Sequence, residues 1–181
     1  MALALQTCLW HIQFGYPAEL SSWRVFVNPS LHIVLVEPEI PPNTGNIARL
    51  CACTGCKLHL VHPLGFEITD KQLKRAGLDY WQYLDVQQHE SWKAVRQSIG
   101  EKCNWFGLSS KVKTSYWDAT FSCGDVLVFG PETRGLSADI LADLQVLTIP
   151  MRNDAPVRSL NLSSACSIVT FEALRQLKIL K

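Results

Sequence analysis

The residues of this chain best suited to chemistry gather in three segments rich in Asn, Gly, Pro and Ser. The first is Pro41-Pro42-Asn43-Thr44-Gly45-Asn46-Ile47-Ala48-Arg49. Its prolines read as stop signals and Asn43 as an ordinary helix N-cap. That leaves Asn46 and Arg49, which stand three apart and therefore meet on one face of a helix. Arg49 precedes the apolar run Leu50-Cys51-Ala52-Cys53 and is either a surface charge or a site residue. The second segment is Phe129-Gly130-Pro131-Glu132-Thr133-Arg134-Gly135-Leu136. A chain that leaves a strand at glycine lets a ligand come close to its backbone. Glu132 follows at a point where free N–H groups can donate to a carboxylate; a tight turn between strand and helix is the bland alternative, but two glycines bracketing a charged tetrapeptide favour a site. The third segment runs from Ile149-Pro150-Met151 to Arg158-Ser159-Leu160-Asn161-Leu162-Ser163-Ser164-Ala165. Asn161 or Ser159 can cap the helix that begins there. The same small polar residues also offer N–H and hydroxyl donors to an adenine or a ribose.

A fourth cluster, Cys53-Thr54-Gly55-Cys56 followed by His59 and His62, looks like a zinc ligand set and is rejected as one. Structural zinc sites place a long spacer between ligand pairs. His59 and His62 are also an odd number of residues apart on an expected strand, so they face opposite ways. None of the ten glycines falls in G-x-G-x-x-G or G-x-x-x-x-G-K-[ST], which argues against a standard dinucleotide or P-loop site. The seven cysteines are scattered, several of them (Cys51, Cys53, Cys123 and Cys166) in apolar segments. They read as reduced, buried thiols of a cytosolic protein rather than a disulfide framework.

The elements that must position these segments are those of an α/β domain. From His32 onward, short β-branched runs alternate with helical patterns, the signature of a mostly parallel sheet. Strands are expected at His32–Val36, Lys57–His62, Asn104–Leu108, Asp125–Phe129 and Val146–Ile149. Helices are expected at Asn43–Thr54, stopped by Gly55, at Asp70–Ala76, stopped near Gly77, and at Glu90–Ile99, Ser137–Leu144 and Asn161–Leu177. Ligands of such domains bind at the carboxyl ends of strands, where the three segments begin.

Composition sets outer bounds. A chain of 181 residues with 48% hydrophobic content fits one domain with a real core. Its net charge of +1, from 17 basic and 16 acidic residues, excludes a disordered tail and a protein that holds nucleic acid by bulk charge. No apolar run approaches the roughly 18 residues that would span a bilayer. Residues 1–30 carry Trp10, Phe14, Tyr16, Trp23 and Phe26 but only Glu19 and Arg24 as charges. They lack the basic start of a signal peptide. The expected organisation is an N-terminal arm over 1–30 and one domain over 31–181.

Together, and in this order, the three segments resemble the three motifs of the SPOUT class of RNA methyltransferases. The stretches HIVLVEPEIPPNTGNIARLCACTGCKLHLVHPLGF, FGPETRGL and IPM with RSLNLSSA are similar to one branch of it. Members of that branch methylate the ribose 2′-hydroxyl of the wobble cytidine or uridine of leucine tRNAs. The resemblance covers about Leu31 to Lys178, and the ordered set of motifs is far more specific than any one alone. It implies a C-terminal deep trefoil knot, with the segment after Ile149 threaded through a loop; sequence rules alone would not suggest one. It also implies S-adenosylmethionine as methyl donor, S-adenosylhomocysteine as product, tRNA as partner and an obligate homodimer with the RNA site at its interface. A cytoplasmic protein needing neither metal nor membrane is expected.

By the same resemblance, cofactor contacts fall on Leu108, Gly130, Ile149 and Ser159, joined by main-chain groups near Met151 and Leu160. Arg49 matches the arginine regarded as catalytic, Asn43 and Asn46 its motif neighbours, and Glu132 the glutamate of the second motif. Asn161 and Ser163 match the polar pair that shapes the knot. Phe171 departs from the pattern, since close relatives carry tyrosine there, and this puts any hydroxyl-dependent role in doubt; Ser164 stands where asparagine can occur. A free arginine side chain, with a reference pKa above about 12, stays charged. Arg49 is therefore expected to stabilise the developing alkoxide and hold a phosphate rather than take a proton. Lys71, Lys74 and Arg75 share one face of the expected basic helix and can meet successive phosphates. Arg134, Arg152 and Arg158 can add contacts around the site. Tyr80 and Trp81 are either stacking residues for exposed bases or core residues. Two other readings stand beside this one: a 2′-O-methyltransferase of another RNA, such as ribosomal RNA, and a catalytically silent knot protein that binds RNA or cofactor.

Overall fold

The computed structural model describes residues 30–67 and 85–180. The expected basic helix, with Lys71, Lys74 and Arg75, and the aromatic pair Tyr80 and Trp81 that follows it, lie outside the described residues. Six strands form one parallel sheet: β1 (His32–Val36), β2 (Lys57–Val61), β3 (Val86–His89), β4 (Trp105–Leu108), β5 (Val126–Phe129) and β6 (Gln145–Leu147). Their order is β3-β2-β1-β5-β4-β6. The helices are α1 (Pro41–Thr54), α2 (Trp92–Ile99), α3 (Ala138–Ala142) and α4 (Leu162–Leu177), and a short 3-10 turn spans Tyr116–Asp118.

The sheet is buried on both faces, as its continuous apolar runs require. Alternate residues of β1 serve opposite layers. Ile33 and Leu35 pack with Ile47 and Cys51 of α1 and with Cys166, Val169 and Leu174 of α4. Val34 and Val36 pack with Val95 of α2, Trp105 and Leu136. Each such aliphatic side chain stabilises the fold by about 1.5–3 kcal/mol through burial. The six described cysteines are free thiols; Cys51, Cys56 and Cys166 are buried, but Cys53 and Cys123 are exposed. Cys53 departs from expectation because it falls on the outer face of α1, which an apolar run alone does not reveal. No helix among the described residues is long and apolar enough to cross a membrane.

Every expected strand within the described residues is present, but several boundaries shift for identifiable reasons. Helix α1 begins at Pro41, not Asn43, because its first turn needs no N–H donors and proline supplies the right φ there. Asn43 is thus not the N-cap but a buried residue inside the first turn. Gly55 closes the helix as expected, at φ 70. The fourth expected strand starts at Val126 because the buried Asp125 turns its carboxylate onto Asn104 N (2.9 Å) and Ser122 N (2.7 Å). Strand β6 covers Gln145–Leu147 rather than Val146–Ile149, and Thr148 instead bridges to Ser115. Helix α2 starts at Trp92, two residues later than expected, capped by Ser91. Helix α3 stops at Ala142, short of Leu144. Strand β3 was not expected: Val86-Gln87-Gln88-His89 is an edge strand whose polar residues give no apolar signal. It carries the end of a row of imidazoles across the sheet. His32 Nδ1 lies 2.9 Å from His59 Nε2, and His59 Nδ1 lies 3.0 Å from His89 Nε2. His62 takes a separate partner, Gln88.

Candidate active site

Strand order reverses beside β1 and β5, and the chain leaving their carboxyl ends builds the site. After β5 the backbone folds back on itself so tightly that Gly130 admits no side chain. A Cβ at that position would lie 2.3 Å from Leu136 N and 2.5 Å from Gly135 C. Gly135, at φ 72, completes the turn, and its N–H donates to Pro131 O at 2.9 Å. This turn projects Glu132 onto the start of α1. The Glu132 carboxylate accepts from Glu39 N (2.8 Å), Ile40 N (3.3 Å) and Asn43 Nδ2 (2.9 Å). The N–H groups that meet it are those entering α1, not those of the element that follows Glu132 in sequence.

The contact is reciprocated. Glu39 accepts from Thr133 Oγ1 (2.9 Å), Thr133 N (3.0 Å) and the Arg134 guanidinium (2.9 Å). The Thr133 hydroxyl and amide, and then Arg134, hold the Glu39 carboxyl below its usual range. Arg134 also pairs with Glu37, which leaves β1 in the left-handed region at φ 48. The third segment joins through Asn43, whose Oδ1 accepts from Asn161 Nδ2 at 2.9 Å. Asn161 caps α4 as expected, its Oδ1 accepting from Ser163 N (2.9 Å), Ser163 Oγ (2.7 Å) and Ser164 N (3.4 Å). One hydrogen-bonded chain, Glu132–Asn43–Asn161–Ser163, thus ties together all three segments. Replacing Glu132 with alanine strands three donors at once. A loss of about 2–3 kcal/mol in unfolding free energy is expected. Urea denaturation checks this, and a wild-type midpoint would show that the network contributes nothing.

Above these contacts opens a cleft of about 660 Å³. Leu108, Gly130, Ile149, Met151, Ser159 and Leu160 all line it, as do Asn43, Glu132, Arg134 and Arg158. Asn46 and Arg49 are not among its lining; they share the exposed face of α1. Arg152 is also outside the lining and pairs with Asp154. Sequence reasoning missed Ser109, Ser110, Lys111 and Thr148, which line the cleft beyond the ends of β4 and β6. Their one available signal was position, just past strand ends that a parallel sheet gathers on one side.

The lining suits a nucleoside-like ligand. Leu108, Phe129, Ile149, Leu160 and Leu162 offer apolar surface for a flat ring, while Gly130 leaves main chain uncovered. The volume falls within the roughly 300–1,000 Å³ common for small-molecule sites.

The SpoU rRNA Methylase family model matches residues 30–171. A tRNA (cytidine(34)-2'-O)-methyltransferase of Saccharophagus degradans is 51% identical over 150 residues, covering 81% of this chain and 95% of that protein. The protein of the same name from Escherichia coli K12 is 49% identical, covering 81% and 94%. A solved structure described as "Structural insights into the 2-OH methylation of C/U34 on tRNA" superposes with a TM-score of 0.77 at 47% identity, covering 82% of this chain and 96% of that one. An AdoMet-bound rRNA methyltransferase from Sinorhizobium meliloti shares the fold, with a TM-score of 0.73 at 22% identity, over 86% of this chain and 60% of its own.

Proposed function

The chain belongs to the SpoU methylase family, and on that premise we propose that it methylates the ribose 2′-hydroxyl of the wobble nucleotide of tRNA, with S-adenosylmethionine as donor. The observation that carries this reading is the single hydrogen-bonded chain joining the three motif segments beneath one cleft. The pattern of named relatives, about half identical over four-fifths of the chain, supports tRNA as the substrate. In this reading residues 31–181 form the methyltransferase domain of a cytoplasmic protein and residues 1–30 precede it. The trefoil knot belongs to the same reading, supported by the docking of Asn161, at the entry to α4, on Asn43.

S-adenosylmethionine, when bound, supplies an electrophilic methyl group. The chain itself must hold and orient it, and Leu108, Gly130, Ile149, Met151, Ser159 and Leu160 are the residues assigned to that work. Positioning of the acceptor hydroxyl provides much of the rate. Asn43 and Glu132 set the entry of α1, and α1 in turn carries Asn46 and Arg49. Arg49 stabilises negative charge on the ribose oxygen and anchors the adjoining phosphate. Its place on an exposed helix face fits a site completed by a second copy. Helix α4, packed on α1, exposes Ile168 and Phe171, a surface suited to such a homodimer. Arg134 and Arg158, which line the cleft, and Arg152 outside it are assigned to RNA around the site; Lys71, Lys74 and Arg75 are assigned to more distant phosphates.

The test is methyl transfer from labelled S-adenosylmethionine to unmodified tRNA, followed by mapping of the labelled nucleotide. A 2′-O-methyl group at the wobble position of leucine tRNA is expected. Label on ribosomal RNA instead would replace the substrate, and no label on any RNA would leave only a silent binding protein. In the same assay Arg49→Ala is expected to lower kcat by about 100-fold or more, with cofactor affinity close to wild type. Near-normal turnover by this variant would withdraw the role given to Arg49.

A further inference from the structure

We propose that the segment over residues 109–118 is a substrate-RNA contact, with Trp117 stacking on an unpaired base and Lys111 and Lys113 meeting the phosphates beside it. The proposal rests on the methyltransferase reading and adds to it residues that neither the motifs nor the family match single out.

The segment is fixed against the cleft. Ser109 N donates to Leu147 O (2.9 Å), Thr148 N to Thr114 O (2.8 Å) and Tyr116 N to Thr148 O (3.0 Å). Ser109, Ser110, Lys111 and Thr148 line the cleft, so the segment starts at its rim; Thr114 and Tyr116 then pair with Thr148, and Lys113 and Trp117 lie outside the lining. The 3-10 turn at its end holds two aromatic rings of opposite fate. Tyr116 is 8% exposed and packs in the core, whereas Trp117 is 66% exposed, the highest value among the large hydrophobic residues described. Ser115 Oγ accepts from Trp117 N at 3.1 Å and fixes the backbone of that turn. The indole is thus displayed on a pinned scaffold, which lowers the ordering cost of any stack upon it.

Charge identifies the occupant. Arg134 is paired with Glu37 and Glu39, and Arg152 with Asp154. Lys111 and Lys113 are exposed and take no ion pair with any described residue. Asp118 is the one carboxylate between residues 109 and 118. An exposed aromatic ring four and six residues from two uncompensated cations, on a segment that leaves a cleft, is the chemistry that holds single-stranded nucleic acid: bases stack and phosphates pair. A protein partner would have no use for two cations without a facing acidic patch, whereas every nucleotide of an anticodon loop brings both a ring and a phosphate.

The experiment compares the full chain with Trp117→Ala, Trp117→Phe and Lys111→Ala/Lys113→Ala. One readout is fluorescence anisotropy with a labelled anticodon stem–loop RNA; the other is steady-state methylation of tRNA. For Trp117→Ala a weakening of RNA binding by about fivefold or more is expected, appearing as raised KM for tRNA with kcat and cofactor affinity unchanged. Trp117→Phe should recover most of the loss, since a ring face remains. The double lysine variant should flatten the dependence of log binding constant on log salt by about 0.7 for each phosphate left unpaired. Equal RNA affinity of Trp117→Ala and wild type overturns the proposal, as does a change in oligomeric state without a change in RNA binding, which would assign Trp117 to a second copy. Because binding is read separately, a wild type that binds RNA without methylating it counts against the enzyme reading alone.

Discussion

Replacing Gly130 with alanine is expected to abolish binding of S-adenosylmethionine and to lower the melting temperature by about 10 °C, corresponding to about 3 kcal/mol or more in a chain of this size. The added carbon would sit 2.3 Å from Leu136 N, 2.5 Å from Gly135 C and 3.0 Å from Gly135 O. All three are backbone atoms, so no side-chain rotation relieves the contact and the turn itself must open. That turn aims Glu132 at the entry of α1 and Thr133 at Glu39, so its displacement loosens both sides of the cleft. Gly100→Ala provides the contrast. Gly100 has φ 88 and ψ −175, a region that only glycine visits readily, but nothing lies within 4 Å of the added carbon, so a backbone cost of about 1–3 kcal/mol applies without a clash. Titration calorimetry and a thermal melt of the two variants separate these outcomes. A Gly130→Ala protein that melts and binds like wild type would show the turn to be compliant.

The second large effect is acid sensitivity rooted in the imidazole row His32–His59–His89. Burial, followed by the neighbouring His32 and His89 rings and Lys57, holds His59 down to about 3. Burial and then Lys57, partly opposed by Asp85, hold His32 down to about 4. The folded chain therefore keeps these rings neutral at pH values where the unfolded chain protonates them. Between about pH 6.5 and pH 3 the unfolded state binds more protons, so stability is complete above pH 6.5 and falls as the pH is lowered through that window. For His59 alone the slope is about 1.4 kcal/mol per pH unit, or roughly 2–3 kcal/mol lost by pH 4.5. Unfolding free energies from urea titrations at pH 7.5 and 4.5 measure it. His59→Gln, which keeps a donor and an acceptor but cannot titrate, should flatten the acid limb. An unchanged slope in that variant would falsify the assignment to His59.

The two effects arise on different sides of what the sequence can reveal. Local chemistry was legible wherever one residue type carries a backbone requirement. Gly55 closes α1, Asn161 caps α4, and the apolar runs of β1, β2 and β5 sit where they were expected, because caps and buried central strands leave strong local signals. The motif segments themselves were found from composition and order, and the cofactor residues assigned by resemblance all line one cleft. What the sequence left out is pairing between distant parts of the chain. Nothing local shows that the Asn43 amide joins Glu132 to Asn161 across 89 and 118 residues, so Asn43 reads as a cap when it is a buried link. The same holds for β3, made a strand by the edge it pairs with rather than by its own polar residues, and for three histidines that become one row only when β1, β2 and β3 lie side by side. Trp117 and Tyr116 are adjacent aromatic residues in the sequence, and only the docking of their turn on Thr148 makes one of them core and the other surface. Residue type and spacing determined which groups were available, because caps, turns and apolar periodicity act over a few residues. Which of those groups meet was decided by the crossover order of a parallel sheet, which gathers strand ends from the whole chain on one edge.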